Sequence, residues 1–207
     1  DCVGDKNPLY DNEISKRTIS FWFSPETLPS GAAKGDVSVL YEEGGTVNGL
    51  NMYINGTKFV GGAYAESSPY KWNGSWVTSS KSLEAGSWYF AAMVFDNPAS
   101  GDKTLKIYLD GELEGTINVE TNIAPNHTDD DGLGAVISDT KVMYPGWDTP
   151  PDNVVGEGFV RNNDGDIRND NDEQSNFFDG KMDEFRVTDT ARDSDWLKTR
   201  YHSELGG

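Results

Sequence analysis

Apolar residues recur every second position along this chain, and no other feature constrains its fold as much. Ile19, Phe21 and Phe23 fall on one side of a run at about 18–24, with Ser20 and Trp22 on the other. Leu50, Met52 and Ile54 alternate with Asn51, Tyr53 and Asn55 in the same way. Tyr89, Ala91, Met93 and Phe95 repeat the pattern along 87–96, and Leu105, Ile107 and Leu109 along 103–110. Successive side chains of a strand point to opposite faces, so this spacing predicts sheet and not helix. Asn55-Gly56 and Asp110-Gly111 lie between such runs and predict type I′ hairpins, joining 48–55 to 57–64 and 103–110 to 112–120. The run SWYFAAMVF at 87–95 is apolar on both sides, which predicts a central strand covered on both faces.

About eleven short strands with turns between them imply an all-β, two-sheet antiparallel sandwich, with 1–207 as a single domain. One short helix is expected near the C-terminus. Thr190 or Asp193 caps it, and it runs to about 202 with Trp196, Leu197 and Arg200 at helical spacing. Trp22, Trp88 and Trp196 are expected in the core. Residues 121–177 break the pattern, with one strand candidate at 132–138 and loops rich in Pro, Gly, Asn and Asp. Loops that long within a compact domain tend to be functional.

Charge narrows the partners. Lys plus Arg number 17 against 35 Asp plus Glu, a net charge of −18. Such an excess argues against recognition of a phosphate backbone and against attachment to anionic membrane, both of which need a basic surface. No apolar run is long enough to span a bilayer. The start, DCVGDKNPLYD, lacks the basic and apolar regions of a signal peptide, which fits a cytosolic protein, a mature form or an excised module. With one cysteine, Cys2, there is neither an internal disulfide framework nor a Cys-based zinc site. His127 and His202 are too few for a histidine metal centre. The acid is unevenly spread, with 15 Asp and 3 Glu between 126 and 195. Aspartate is a turn former and a Ca²⁺ ligand in loops, so calcium loops and a generally acidic surface both fit.

Four stretches, in order, resemble the laminin-G-like branch of the concanavalin A-like lectin/glucanase superfamily, in the form found in bacterial and archaeal surface proteins. They are TISFWFSPETLP (18–29), GSWYFAAMVFD (86–96), LKIYLDGELEGT (105–116) and FFDGKMDEFRVTDTARDSDWLKTRY (177–201). The resemblance implies a jelly-roll β-sandwich that binds carbohydrate or protein, often with Ca²⁺. It also implies that Asp183, the aspartate of the last strand, ligates a structural Ca²⁺. Glu184 and Arg186 are expected to pair as ions on the other face of that strand.

Further candidates come from the loops. Asn162-Asn163-Asp164-Gly165-Asp166-Ile167 echoes an EF-hand loop, but Val160 and Asn171 stand where the loop needs Asp and a bidentate Glu. Asp164 and Asp166 therefore fit either a Ca²⁺ site of another geometry or a solvated Asx-rich turn. Asp129, Asp130 and Asp131 repel one another unless a cation sits among them. Tyr70, Trp72 and Trp76 lie among small polar residues, and Tyr144 and Trp147 lie in MYPGWDTP. Aromatic rings of this kind stack on the CH faces of sugars while Asp and Asn accept hydroxyl hydrogen bonds; equally, they could plug the ends of the sandwich. The expected metal ligands are Asp183, Asp164, Asp166 and Asp130. The expected ligand-binding set is Trp72, Trp76, Tyr70, Trp147, Tyr144, Asp129 and Asp131.

Catalysis has little support. The strand motif that puts two carboxylates on one face in related glucanases is missing, and the adjacent Glu42 and Glu43 point to opposite faces. Sequons at Asn55, Asn73 and Asn126 occur at near-chance frequency for so many Asn, Ser and Thr. The expected function is a non-catalytic, Ca²⁺-binding module of a secreted or cell-surface protein that recognises carbohydrate, as part of a larger chain. A structural or protein-binding spacer and an atypical polysaccharide-degrading enzyme are the alternatives.

Overall fold

Strands form where the alternation predicts them. A computed structural model describes residues 15–31, 36–44, 48–68, 71–119, 132–134, 155–160 and 177–205, with side chains at all of these except 44, 48, 66–68, 71–73 and 155–160. The strands are β1 (Lys16–Pro25), β2 (Val37–Gly44), β3 (Asn48–Asn55), β4 (Lys58–Ser68), β5 (Lys71–Ser82) and β6 (Tyr89–Asp96). They continue with β7 (Thr104–Leu109), β8 (Glu112–Asn118), β9 (Gly132–Leu133), β10 (Val155–Val160) and β11 (Gly180–Thr188), and one helix follows, α1 (Ser194–Glu204). They form a five-stranded sheet, β11-β1-β6-β7-β8, and a six-stranded sheet, β10-β5-β4-β3-β2-β9. Neighbours pair antiparallel throughout, and the two sheets make a jelly-roll sandwich.

The alternating apolar sets meet between the sheets. Ile19, Phe21, Phe23, Tyr89, Ala91, Met93, Phe95, Leu105, Ile107 and Leu109 come from one sheet, and Leu50, Met52, Ile54, Phe59, Ala63 and Val77 from the other. Each large side chain removed from water there contributes about 1.5–3 kcal/mol. Arg17 lies two residues before Ile19 on the same side of β1, and it too is fully buried. Its Nε donates to Glu43 Oε1 of β2 at 3.2 Å, while the Tyr41 hydroxyl donates to Oε2 of the same carboxylate. This ion pair crosses from one sheet to the other. Glu42 and Glu43 do point to opposite faces, yet both are buried.

Strand β6 is central, as its two apolar sides predict. Its second face, Phe90, Ala92 and Val94, packs with Tyr108, Leu197, Trp22 and Tyr201 under α1. Asp193 caps the helix, its carboxylate accepting from Trp196 N–H at 2.8 Å. Trp22 and Trp196 are half-buried at this helix–sheet seam and do not enter the inter-sheet core. Trp88 departs from expectation more clearly, being 47% exposed. It precedes the first residue of β6, outside the cluster that α1 covers.

The two hairpins differ. Asp110 and Gly111 both have positive φ, 53° and 78°, between the paired residues Leu109 and Glu112, as a type I′ turn requires. Between the paired Asn55 and Lys58 the loop is instead Gly56-Thr57, with φ positive at Gly56 alone (58°). That is the type II′ pattern, so the type I′ expectation is corrected there: Asn55 ends the strand instead of entering the turn. Of the strand expected at 132–138, residues 132–134 are described, and β9 occupies the first two.

Candidate functional site

The second face of the six-stranded sheet carries most of its polar chemistry. Because Leu50, Met52 and Ile54 of β3 face the core, Asn51 and Tyr53 face the other way. The pairing then lays out straight rows across the sheet. Glu42 of β2 stands beside Asn51 of β3, Asn51 beside Gly62 of β4, and Gly62 beside Trp76 of β5. The row on one side of it runs Val39, Tyr53, Val60, Thr78. The row on the other side runs Gly44, Gly49, Tyr64, Gly74, Gly156.

These glycines clear space for the rings. A Cβ at Gly74 would fall within the Trp76 indole, and one at Gly62 would lie 2.5 Å from Asn51 Oδ1 as well as against the Trp76 Nε1. A Cβ at Gly49 would lie 2.7 Å from the Tyr64 hydroxyl. The Trp76 indole therefore lies down along the sheet over Gly62 and Gly74, which a side chain at either position would prevent. Glu42, Asn51, Tyr53, Tyr64 and Trp76 are all fully buried.

Trp76 is thus corrected from a surface ring to a buried one; the glycines beside it let it lie flat against the sheet. Position 72 lies on β5 between Glu66 of β4 and Phe159 of β10, four residues from position 76 and so on the same face of the strand. Asp183 is exposed on β11 opposite Trp22, on the other sheet, and its Oδ1 accepts from Glu184 N–H at 2.8 Å. Tyr70, Asp129, Asp130, Asp131, Tyr144, Trp147, Asp164 and Asp166 lie outside the described residues. Among the described residues no three potential metal ligands gather. The expected ion pair on β11 is present: Arg186 bonds Glu184 at 2.5 Å, and Arg200 of α1 reaches the same carboxylate at 3.4 Å. Arg186 and Arg200 hold the Glu184 carboxyl below the usual carboxylate range.

Alternation puts Asn51 and Tyr53 on the second face of β3 without showing that this face is covered, so neither stands out in the sequence as buried. The signal was the polar set itself, since Asn51 and Tyr53 recur on one side of an otherwise apolar strand. Chemically this face holds a carboxylate, an amide, phenols, an indole N–H and a hydroxyl, all of them hydrogen-bonding groups and all buried. Glycoside hydrolysis normally uses two carboxylates about 5–9.5 Å apart, and among the described side chains of this face Glu42 is the one carboxylate.

A family model described as the concanavalin A-like lectin/glucanases superfamily matches residues 5–146. No curated protein matches the chain in sequence. Among solved structures, the botulinum neurotoxin type G receptor-binding domain is similar at TM-score 0.54 and 11% identity, over 92% of this chain and 38% of that one. The type D neurotoxin binding domain gives 0.53 and 13%, over 97% and 39%. A structure of the type C neurotoxin, a toxin whose entry into cells is described as dependent upon interaction with two ganglioside molecules, gives 0.54 and 14%, over 91% and 36%. These likenesses show the fold, and the chain spans less than two fifths of each of those three proteins. No helix among the described residues is long and apolar enough to cross a membrane.

Proposed function

Because the chain belongs to the concanavalin A-like lectin/glucanases superfamily, we propose that it is a non-catalytic module recognising carbohydrate, carried by a secreted or cell-surface protein. The observation that supports this most is the row Glu42, Asn51, Gly62, Trp76 on a buried sheet face. Carboxylate, amide and indole N–H gathered on one sheet face are the group types that bond sugar hydroxyls. The likeness to toxin domains, one of which is described with gangliosides, agrees with a sugar ligand. In this reading Trp72, Tyr70, Tyr144 and Trp147 supply the stacking rings, and Trp76, being buried, takes no part in the stacking. Asp129 and Asp131 accept from sugar hydroxyls, and Asp130, Asp164, Asp166 and Asp183 hold Ca²⁺.

Affinity chromatography on immobilised polysaccharides tests the reading. Trp72→Ala and Trp147→Ala should each abolish retention and leave the melting temperature within about 2 °C, since an exposed ring adds little stability. Variants that keep binding but melt several degrees lower would show that these rings are plugs and would sink the assignment. The closure of the sheet face favours a second reading, a structural or protein-binding spacer. Retention on no polysaccharide, with the wild-type fold intact, would select it.

A further inference from the structure

Of the three sequons, the fold separates two. Asn73 belongs to β5, and its backbone is paired with Ala65 of β4 on one side and Glu157 of β10 on the other. Asn55 closes β3, paired with Val37 of β2 and Lys58 of β4, and the turn Gly56-Thr57 follows it at the tip of a hairpin. Thr57, the third residue of that sequon, is exposed. A Cβ at Gly56 would meet nothing nearer than Ser30 O at 3.8 Å, so the turn is open on that side, while Gly31 packs against its backbone on the other. The Asn55 side chain is half-buried, its Oδ1 lying 2.7 Å from where a Gly31 Cβ would be, and its nitrogen is on the opposite branch of the amide.

We propose that Asn55 is an N-glycan acceptor, the one of these two that the folded sandwich tolerates. The donor is an oligosaccharide carried on a lipid pyrophosphate. Asn55 Nδ2 bonds to the anomeric carbon as that carbon's bond to the pyrophosphate breaks; the amide gives up one proton and the lipid pyrophosphate leaves. The bulk of the glycan extends from a hairpin tip beside the exposed Thr57, whereas Ser75, the third residue of the Asn73 sequon, is fully buried. The proposal presumes passage through a secretory route, so the test supplies that route.

The chain, fused to a cleavable secretory leader, is expressed in a eukaryotic host and analysed by intact mass before and after peptide N-glycosidase. Glycopeptide mapping then locates the glycan. The expected result is a glycan on the peptide carrying Asn55, lost in Thr57→Ala, kept in Thr57→Ser, with all three secreted proteins giving the same circular dichroism. Folded wild-type protein bare at Asn55, or folded protein glycosylated at Asn73, would overturn it. Sugar binding is not read in this experiment, so its failure leaves the carbohydrate-recognition reading standing and the two fail independently.

Discussion

Trp76 and Gly74 make one structural unit. The indole occupies the volume that a side chain at position 74 would need, so Gly74→Ala forces either the ring or β5 to move. Overpacking of this kind costs about 1–3 kcal/mol. The expected result is a urea midpoint lowered accordingly with unchanged m-value, and an unchanged midpoint would show that the ring does not rest there. Arg17 and Glu43 are a unit of the opposite kind, two charges held between the sheets. Glu43→Ala should cost about 3–5 kcal/mol, because it takes the carboxylate away from a buried guanidinium, while Arg17→Met with Glu43→Leu should recover most of that loss. Equal losses in the single and double variants would contradict the pairing. Neither unit was legible in the sequence. Arg17 stands in a polar flank, and nothing in the string GGAYAESSPYKWNGSW tells a ring lying on glycine from one facing solvent.

At the scale of elements, α1 is held by its cap and by ion pairs at its rim. Asp193→Ala should lower stability by about 1 kcal/mol through the lost bond to Trp196 N–H. Glu112 bonds Lys198, which holds the Glu112 carboxyl below its usual range, and Glu184 is held low by Arg186 and Arg200. A carboxyl whose folded pKa is depressed stabilises above its unfolded value, about 4.3, and loses that contribution as pH falls through the folded value. Lys198 is raised by Glu112, so its contribution is complete below its ordinary value and disappears as pH rises past the folded one. Amide exchange in α1 should therefore be slow and flat, after correction for intrinsic rates, from about pH 5 to 9, and should accelerate below about pH 4. Protection that persists unchanged to pH 3 would mean that the helix is held by Trp22, Leu197 and Tyr201 alone. Strand β11 lies at the edge of its sheet, and a bulge with φ 52° at Glu184 plus four charged side chains, Lys181, Asp183, Glu184 and Arg186, guards that edge against pairing. The helix and its Asp193 cap were readable from sequence because caps and apolar spacing are local signals. The turn at Gly56 was misread because Asn-Gly fits either the strand end or the turn centre, and the pairing of Asn55 with Lys58 decides it.

For the whole molecule, alternation gave the two sheets, since burying one side of each strand leaves little freedom in how the strands face. Loops carry no such period, and the Asp, Asn and Gly of 121–177 report composition without position. The expected acids and rings of those loops therefore stay separated in the sequence from the face that Glu42, Asn51 and Trp76 define. Sugar recognition assisted by calcium is the claim that would join them. A glycan array probed with the 207-residue chain in Ca²⁺, after chelation with EDTA, and again after Ca²⁺ is restored tests it most directly. The expected result is binding to one class of glycan that disappears on chelation and returns with the metal. An array blank in all three conditions, with the fold intact, would contradict it.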